Sequence, residues 1–146
     1  LGYWNKPEET AKTITSDGWL CTGDAAYQDA DGYVYIHDRF KDMIVSGGEN
    51  IYPTEIENAL FEHPGVAQVA VIGVAHQRWG ETPKAFVVAR EGARFSEAEL
   101  IQFTRDRLAH YKCPTSVAFV AALPVNGAGK ILKKEMRNPF WLKDNV

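Results

Sequence analysis

VAQVAVIGVA, residues 66–75, is a nearly continuous apolar run closed on both sides by turn-forming sequence. A short run of that kind reads as a strand covered on both faces, so the chain must supply layers above and below it. KAFVVAR (84–90) and SVAFVAAL (116–123) read as two further strands. Helical signals surround them. Pro53 at a first helical position, Glu55 and Glu57 in the first turn, and Ile56, Ala59, Leu60 and His63 along one face predict a helix, stopped at His63-Pro64-Gly65. Ser96 and Glu99 predict a capping box ahead of a second helix, with Leu100, Phe103 and Arg107 on one side and Thr104 and Leu108 beside them. ILKKEMR is expected to form a last short helix. Together these elements predict a small α+β domain from about residue 41 onward, a three-stranded sheet with packed helices.

Residues 24–39, DAAYQDADGYVYIHDR, alternate polar and apolar residues around Asp31-Gly32, a dipeptide suited to a type I′ hairpin turn. A turn there pairs Ala30 with Tyr33 and sets Asp24 opposite Arg39. A carboxylate beside a guanidinium is either a cross-strand ion pair or a hydrogen-bonding fork for a diol.

The chain of 146 residues is 45% hydrophobic and 24% charged, which suits a folded core and argues against disorder. A net charge of -3 excludes a general nucleic-acid surface, so any anionic ligand must be met by local cations. Cys21 and Cys113 are too few for a disulfide framework, and no apolar 18-mer or signal peptide is visible, which points to the cytoplasm. His37, His63, His76 and His110 lack metal-ligand spacing, so no metal site is expected in this chain. The opening LGYWNKPEET carries no initiator methionine and is expected to continue from an earlier segment of a longer protein.

PVNGAGKILKKE, residues 124–135, resembles half of a phosphate-binding loop. A Walker loop needs glycine six positions before its lysine and Ser or Thr directly after it. Pro124 and Ile131 occupy those places, so this loop does not bind phosphate and magnesium in that way. Gly127, Ala128 and Gly129 leave Lys130 unshielded, either as a solvated lysine before a terminal helix or as a mobile cation.

The order GWLCTGD, DRFKDMIVSGGENIYPTEIE, HPGVAQVAVIGVAHQRWGE and LPVNGAGKILKKE resembles the C-terminal part of adenylate-forming acyl-CoA synthetases, the superfamily of fatty-acyl-CoA ligases, aryl-CoA ligases and luciferases. The resemblance covers essentially the whole chain. It implies that residues 1–40 are the tail of a large N-terminal domain, ending in its last hairpin, and that residues 41–146 are a mobile C-terminal domain. The implied chemistry joins a carboxylic acid, fatty or aryl, to ATP as an acyl adenylate, then transfers the acyl group to coenzyme A. Mg2+ is expected with ATP in the full-length enzyme, and this chain alone is expected to be inactive. Rival readings are an adenylation domain that loads a carrier protein and a noncatalytic interaction module.

Residue by residue, the resemblance implies that Lys130 is the catalytic cation of adenylation and that Asp24 accepts hydrogen bonds from the ribose hydroxyls of ATP. Arg39 is implied at the same nucleotide, with Ile36 against the adenine, and Lys41 as the hinge. Ser46, Gly47 and Gly48 are implied to line the coenzyme A passage. Trp79 and Tyr111 are implied to hold its nucleotide by stacking. Some relatives carry a phosphate-binding arginine where this chain has Cys113, leaving Lys112 as the adjacent cation.

Overall fold

The computed structural model describes residues 2–141 and divides the chain into two compact units at Lys41/Asp42. The first unit holds helix α1 (Pro7–Thr13) and a two-stranded hairpin, β1 (Asp24–Gln28) with β2 (Val34–Arg39). A 3-10 turn, Phe40–Asp42, follows β2.

The hairpin corrects the expected turn and keeps the expected end. Asp29, not Ala30, pairs with Tyr33, because the Asp29 carboxylate accepts hydrogen bonds from the N–H groups of Asp31 (3.1 Å) and Tyr33 (2.9 Å). Gly32 closes the longer loop at φ 90°. That loop moves the register by one residue, and an irregularity between Ala25 and Ala26 moves it back, so Asp24 still faces Arg39.

The second unit is α+β. In chain order it comprises β3 (Ile44–Ser46), β4 (Glu49–Ile51), α2 (Pro53–Phe61), β5 (Val66–His76), β6 (Gly80–Ala89), α3 (Glu97–Arg105), β7 (Ser116–Phe119) and α4 (Lys133–Trp141). A 3-10 turn, His110–Lys112, lies between α3 and β7. The three expected strands make the body of the sheet, β5 antiparallel and β7 parallel to β6. The β3–β4 hairpin enlarges it to five strands through the pair Ser46–Gly80. That pair sits near the start of β6, which begins four residues earlier than the apolar pattern indicated.

The continuous apolar run is explained by two cores. On one face Val69, Val71, Ala85 and Val87 pack with Ile56 and Leu60 of α2 and Leu100 of α3. On the other, Ala70, Ile72 and Val74 pack with Leu123 and Met136 of α4. The α3 capping box forms as expected: Ser96 Oγ accepts from Glu99 N–H at 3.2 Å, and the Glu99 carboxylate accepts from Ser96 N–H at 2.6 Å. His63 lies beyond α2, its ring against Phe95 and Phe103.

Acidic side chains occupy backbone donors of the sheet. Glu57 accepts from Val71 N–H and Glu97 accepts from Val117 N–H, both at 2.7 Å. Trp141 Nε1 donates to the Gly73 carbonyl at 3.2 Å. Such contacts block added pairing along β5 and β7.

Candidate functional site

Within the first unit, Arg39 Nε lies 3.4 Å from Asp24 Oδ1. Both groups are part-exposed, so the ion pair contributes little stability and leaves carboxylate oxygens open to a ligand. Ile36 is 71% exposed on β2. Beside it, Tyr27 and Tyr35 stack at 5.0 Å, with His37 tilted against Tyr27. Lys41 is the middle residue of the Phe40–Asp42 turn.

The second unit carries two groups of candidate residues at opposite ends of β5. At the end marked by His76, the β3–β4 turn meets the β5–β6 turn. Gly47 and Gly48 have φ values of 60° and 90°, the two left-handed residues of a type I′ turn, which explains the Gly-Gly pair locally. Gly47 has a second constraint. Its N–H donates to the Trp79 carbonyl at 2.8 Å, and a Cβ on it would fall 2.9 Å from Trp79 Cε3. At Gly48 a Cβ meets nothing, so only its backbone angle requires glycine. Ser46, Gly47, Gly48 and Trp79 are thus brought together.

Tyr111 and Lys112 sit on the 3-10 turn after α3. Tyr111 is 49% exposed. The Lys112 ammonium is held by both Glu55 oxygens, at 2.7 and 2.8 Å, and that hydrogen bonding raises its pKa against the opposing effect of desolvation. Cys113 is buried, and burial pushes its thiol up, so it offers no charge to a phosphate.

At the other end, Val125 and Ile131 bridge to close a loop that presents Lys130. The loop is not loose. Asn126 Oδ1 accepts from the N–H groups of Ala128 (3.0 Å) and Lys130 (2.9 Å), and Gly129 turns at φ 78°. Asp29 and Gly32 play the same parts in the first hairpin, and Thr15 and Gly18 make a close variant of it. Asn126 is therefore a site-shaping residue that motif reading passed over, although Asn ahead of Gly-rich sequence is itself a turn signal. A groove beneath the loop is lined by Glu57, Phe61, Gln68, Val69, Val125 and Ile131. Lys133, just past the loop, is tied to Glu57 at 2.7 Å.

Glu81 was also not anticipated. Burial raises its pKa, while a hydrogen bond from Val45 N–H and the Arg137 charge oppose the rise. A Cβ on Gly73 would fall 2.5 Å from Glu81 Oε2, so Gly73 leaves room for this carboxylate. Arg137 also reaches Asp42 at 3.5 Å. Among the described residues no group of three or more His, Cys, Asp or Glu could hold a metal ion, and no helix is long and apolar enough to cross a membrane.

Comparison with known proteins matches residues 55–130 to the AMP-binding enzyme C-terminal domain. Feruloyl-CoA synthase of an Amycolatopsis species is 55% identical over 139 residues, which are 95% of this chain and 28% of that protein. The fatty acid–[acyl-carrier-protein] ligase ScoC of Streptomyces coeruleorubidus is 50% identical over 95% of this chain and 27% of its own length. Among solved structures, ATP-bound MatB from Rhodopseudomonas palustris superposes with a TM-score of 0.88 at 42% identity, covering 95% of this chain and 28% of that one. The chain thus spans little more than a quarter of the length of these relatives, over the part that carries their C-terminal domain. On the family match, the shared architecture and the level of identity, this chain belongs to the AMP-binding enzyme C-terminal domain family of adenylate-forming ligases.

Proposed function

We propose that residues 1–40 are the tail of an N-terminal adenylation domain and residues 41–146 the mobile C-terminal domain of an ATP-dependent acid–thiol ligase. The whole protein makes an acyl adenylate and then an acyl-CoA thioester in the cytoplasm, on a fatty or aryl carboxylic acid. Mg2+ arrives with the ATP phosphates. By itself the 146-residue chain forms no adenylate, because it carries neither a phosphate-cradling loop nor an acid pocket.

The supporting observation is the placement of two groups on β5. The Lys130 loop borders the groove at Gln68 and Val69, whereas Trp79 follows His76 at the far end of the strand. His76 lies seven positions beyond Val69 along extended chain, roughly 23 Å at about 3.3 Å per residue. One active site cannot use both ends without a reorientation of this unit, for which Lys41 is the pivot.

In adenylation, Asp24 accepts from the ribose hydroxyls, Arg39 meets the same nucleotide, and Ile36 lies against the adenine. Lys130 brings a point charge to the phosphate and carboxylate oxygens as negative charge gathers there. In thioester formation, Ser46, Gly47 and Gly48 line the pantetheine passage, while Trp79, Tyr111 and Lys112 face the nucleotide of coenzyme A.

Lys130→Ala in the full-length ligase tests this assignment. Adenylate formation is expected to slow by roughly 10²–10³, with thioester formation from a preformed acyl adenylate nearly unchanged. Equal loss in both half-reactions would contradict it. The carrier-protein reading has one observation in its favour, the 50% identity to ScoC, and is separated by replacing coenzyme A with a phosphopantetheinylated carrier as acceptor.

A further inference from the structure

We propose that Arg78, and not Lys112, supplies the cation for the ribose 3′-phosphate of coenzyme A, and that it does so by leaving the face of Trp79 when the nucleobase takes its place. The proposal rests on the reading above that Trp79 receives the coenzyme A nucleotide.

Trp79 is a fixed platform. Its carbonyl accepts from Gly47 N–H at 2.8 Å, and its own N–H donates to His76 Nδ1 at 3.2 Å. The missing Cβ of Gly47 lets the indole sit directly against that turn. Even so, the side chain stays 44% exposed, with ring surface open to a ligand.

One face of the ring is covered by a guanidinium. Arg78 Cζ lies 4.4 Å from the ring centroid, while the Arg78 N–H is tied to the same His76 Nδ1 at 3.3 Å. Its backbone is anchored and its charged end is not: among the described residues no carboxylate pairs with it. An exposed cation–π contact of this kind is worth only about 0.5–1 kcal/mol, so a stacking base can displace it. The displaced guanidinium stays on the residue next to the platform, within reach of a phosphate carried by the ribose of the stacked base. Its planar fork matches phosphate oxygens two at a time.

Lys112 is in the opposite position. Both oxygens of Glu55 already hold its ammonium, so a phosphate placed there would meet a carboxylate as well as a cation. Cys113, where some relatives carry arginine, adds no charge. In a chain of net charge -3 the phosphate needs a local, uncommitted cation, and at the indole that cation is Arg78.

The test compares coenzyme A with 3′-dephospho-coenzyme A as acceptors for the full-length ligase. In Arg78→Ala the KM for coenzyme A is expected to rise roughly 10- to 100-fold, the scale of one charge-assisted contact. The KM for the dephospho form, the KM for ATP and the rate of adenylate formation should stay near wild type, and Arg78→Lys should recover part of the loss. If Arg78→Ala raises both acceptor KM values equally, or if Lys112→Met produces the selective loss instead, the assignment to Arg78 is overturned. An absence of coenzyme A turnover in the wild-type enzyme would instead refute the ligase reading on which the proposal stands.

Discussion

Gly47 and Trp79 form one unit: the glycine amide donates to the tryptophan carbonyl at 2.8 Å, and its Cα side abuts the indole so closely that a Cβ would fall 2.9 Å from Cε3. A residue implied to line the passage and a residue implied to hold the nucleotide are therefore mechanically coupled.

That coupling separates two neighbouring glycines. Gly47→Ala must both adopt a left-handed conformation and push the indole, whereas Gly48→Ala meets only the conformational cost, about 1–2 kcal/mol. Thioester formation from a preformed adenylate should fall much further in Gly47→Ala than in Gly48→Ala, and Gly47→Ala should also lose more thermal stability. Equal kinetic loss in the two variants would show that contact with Trp79 is irrelevant to the second half-reaction.

Asn126 organises the Lys130 loop by accepting two backbone hydrogen bonds, from Ala128 and Lys130 N–H, on its side-chain oxygen. Asn126→Ala releases exposed N–H groups to water, so the stability change should stay within about 0.5–1.5 kcal/mol. Adenylate formation should nevertheless slow, because the lysine is no longer held in one geometry. Asn126→Asp keeps the acceptor and should restore most of the rate; an unrestored rate would argue that the loop's order does not matter.

Burial raises the pKa of Glu81, so the folded state binds its proton more tightly than the unfolded chain does. Its contribution to stability is full below the unfolded value, near 4.5, and is lost as pH rises through the elevated folded value. Thermal unfolding of wild type and Glu81→Gln from pH 4 to 7 checks the sign: the wild type should lose ground to the variant as pH rises. A gain by the wild type would mean that the Arg137 charge outweighs burial.

The sheet was legible because apolar residues facing two cores leave an unbroken run, and the α3 start because a capping box is a local signal. The β3–β4 strands were not, since three residues each around Gly47-Gly48 carry too little periodicity. The first hairpin shows how local chemistry overrides a dipeptide rule. Asp29 holds a longer loop than Asp31-Gly32 suggested, yet a compensating irregularity preserved the Asp24–Arg39 pairing. Motif resemblance singled out Lys130 as a candidate, but not Asn126, Glu81 or the engagement of Lys112 by Glu55, because those depend on partners distant in sequence or on side-chain geometry.

The central claim is that one unit presents the Lys130 end and the Trp79 end of β5 to the same chemistry in turn, pivoting at Lys41. Proline at Lys41 fixes φ near about -65° and removes an N–H, so it should hold one orientation without removing a group from either end. Single-turnover rates of each half-reaction in full-length Lys41→Pro test this most directly. Adenylate formation is expected to stay within about tenfold of wild type, a barrier change of roughly 1.4 kcal/mol, while thioester formation falls much further. Wild-type rates in both half-reactions would contradict the pivot at Lys41.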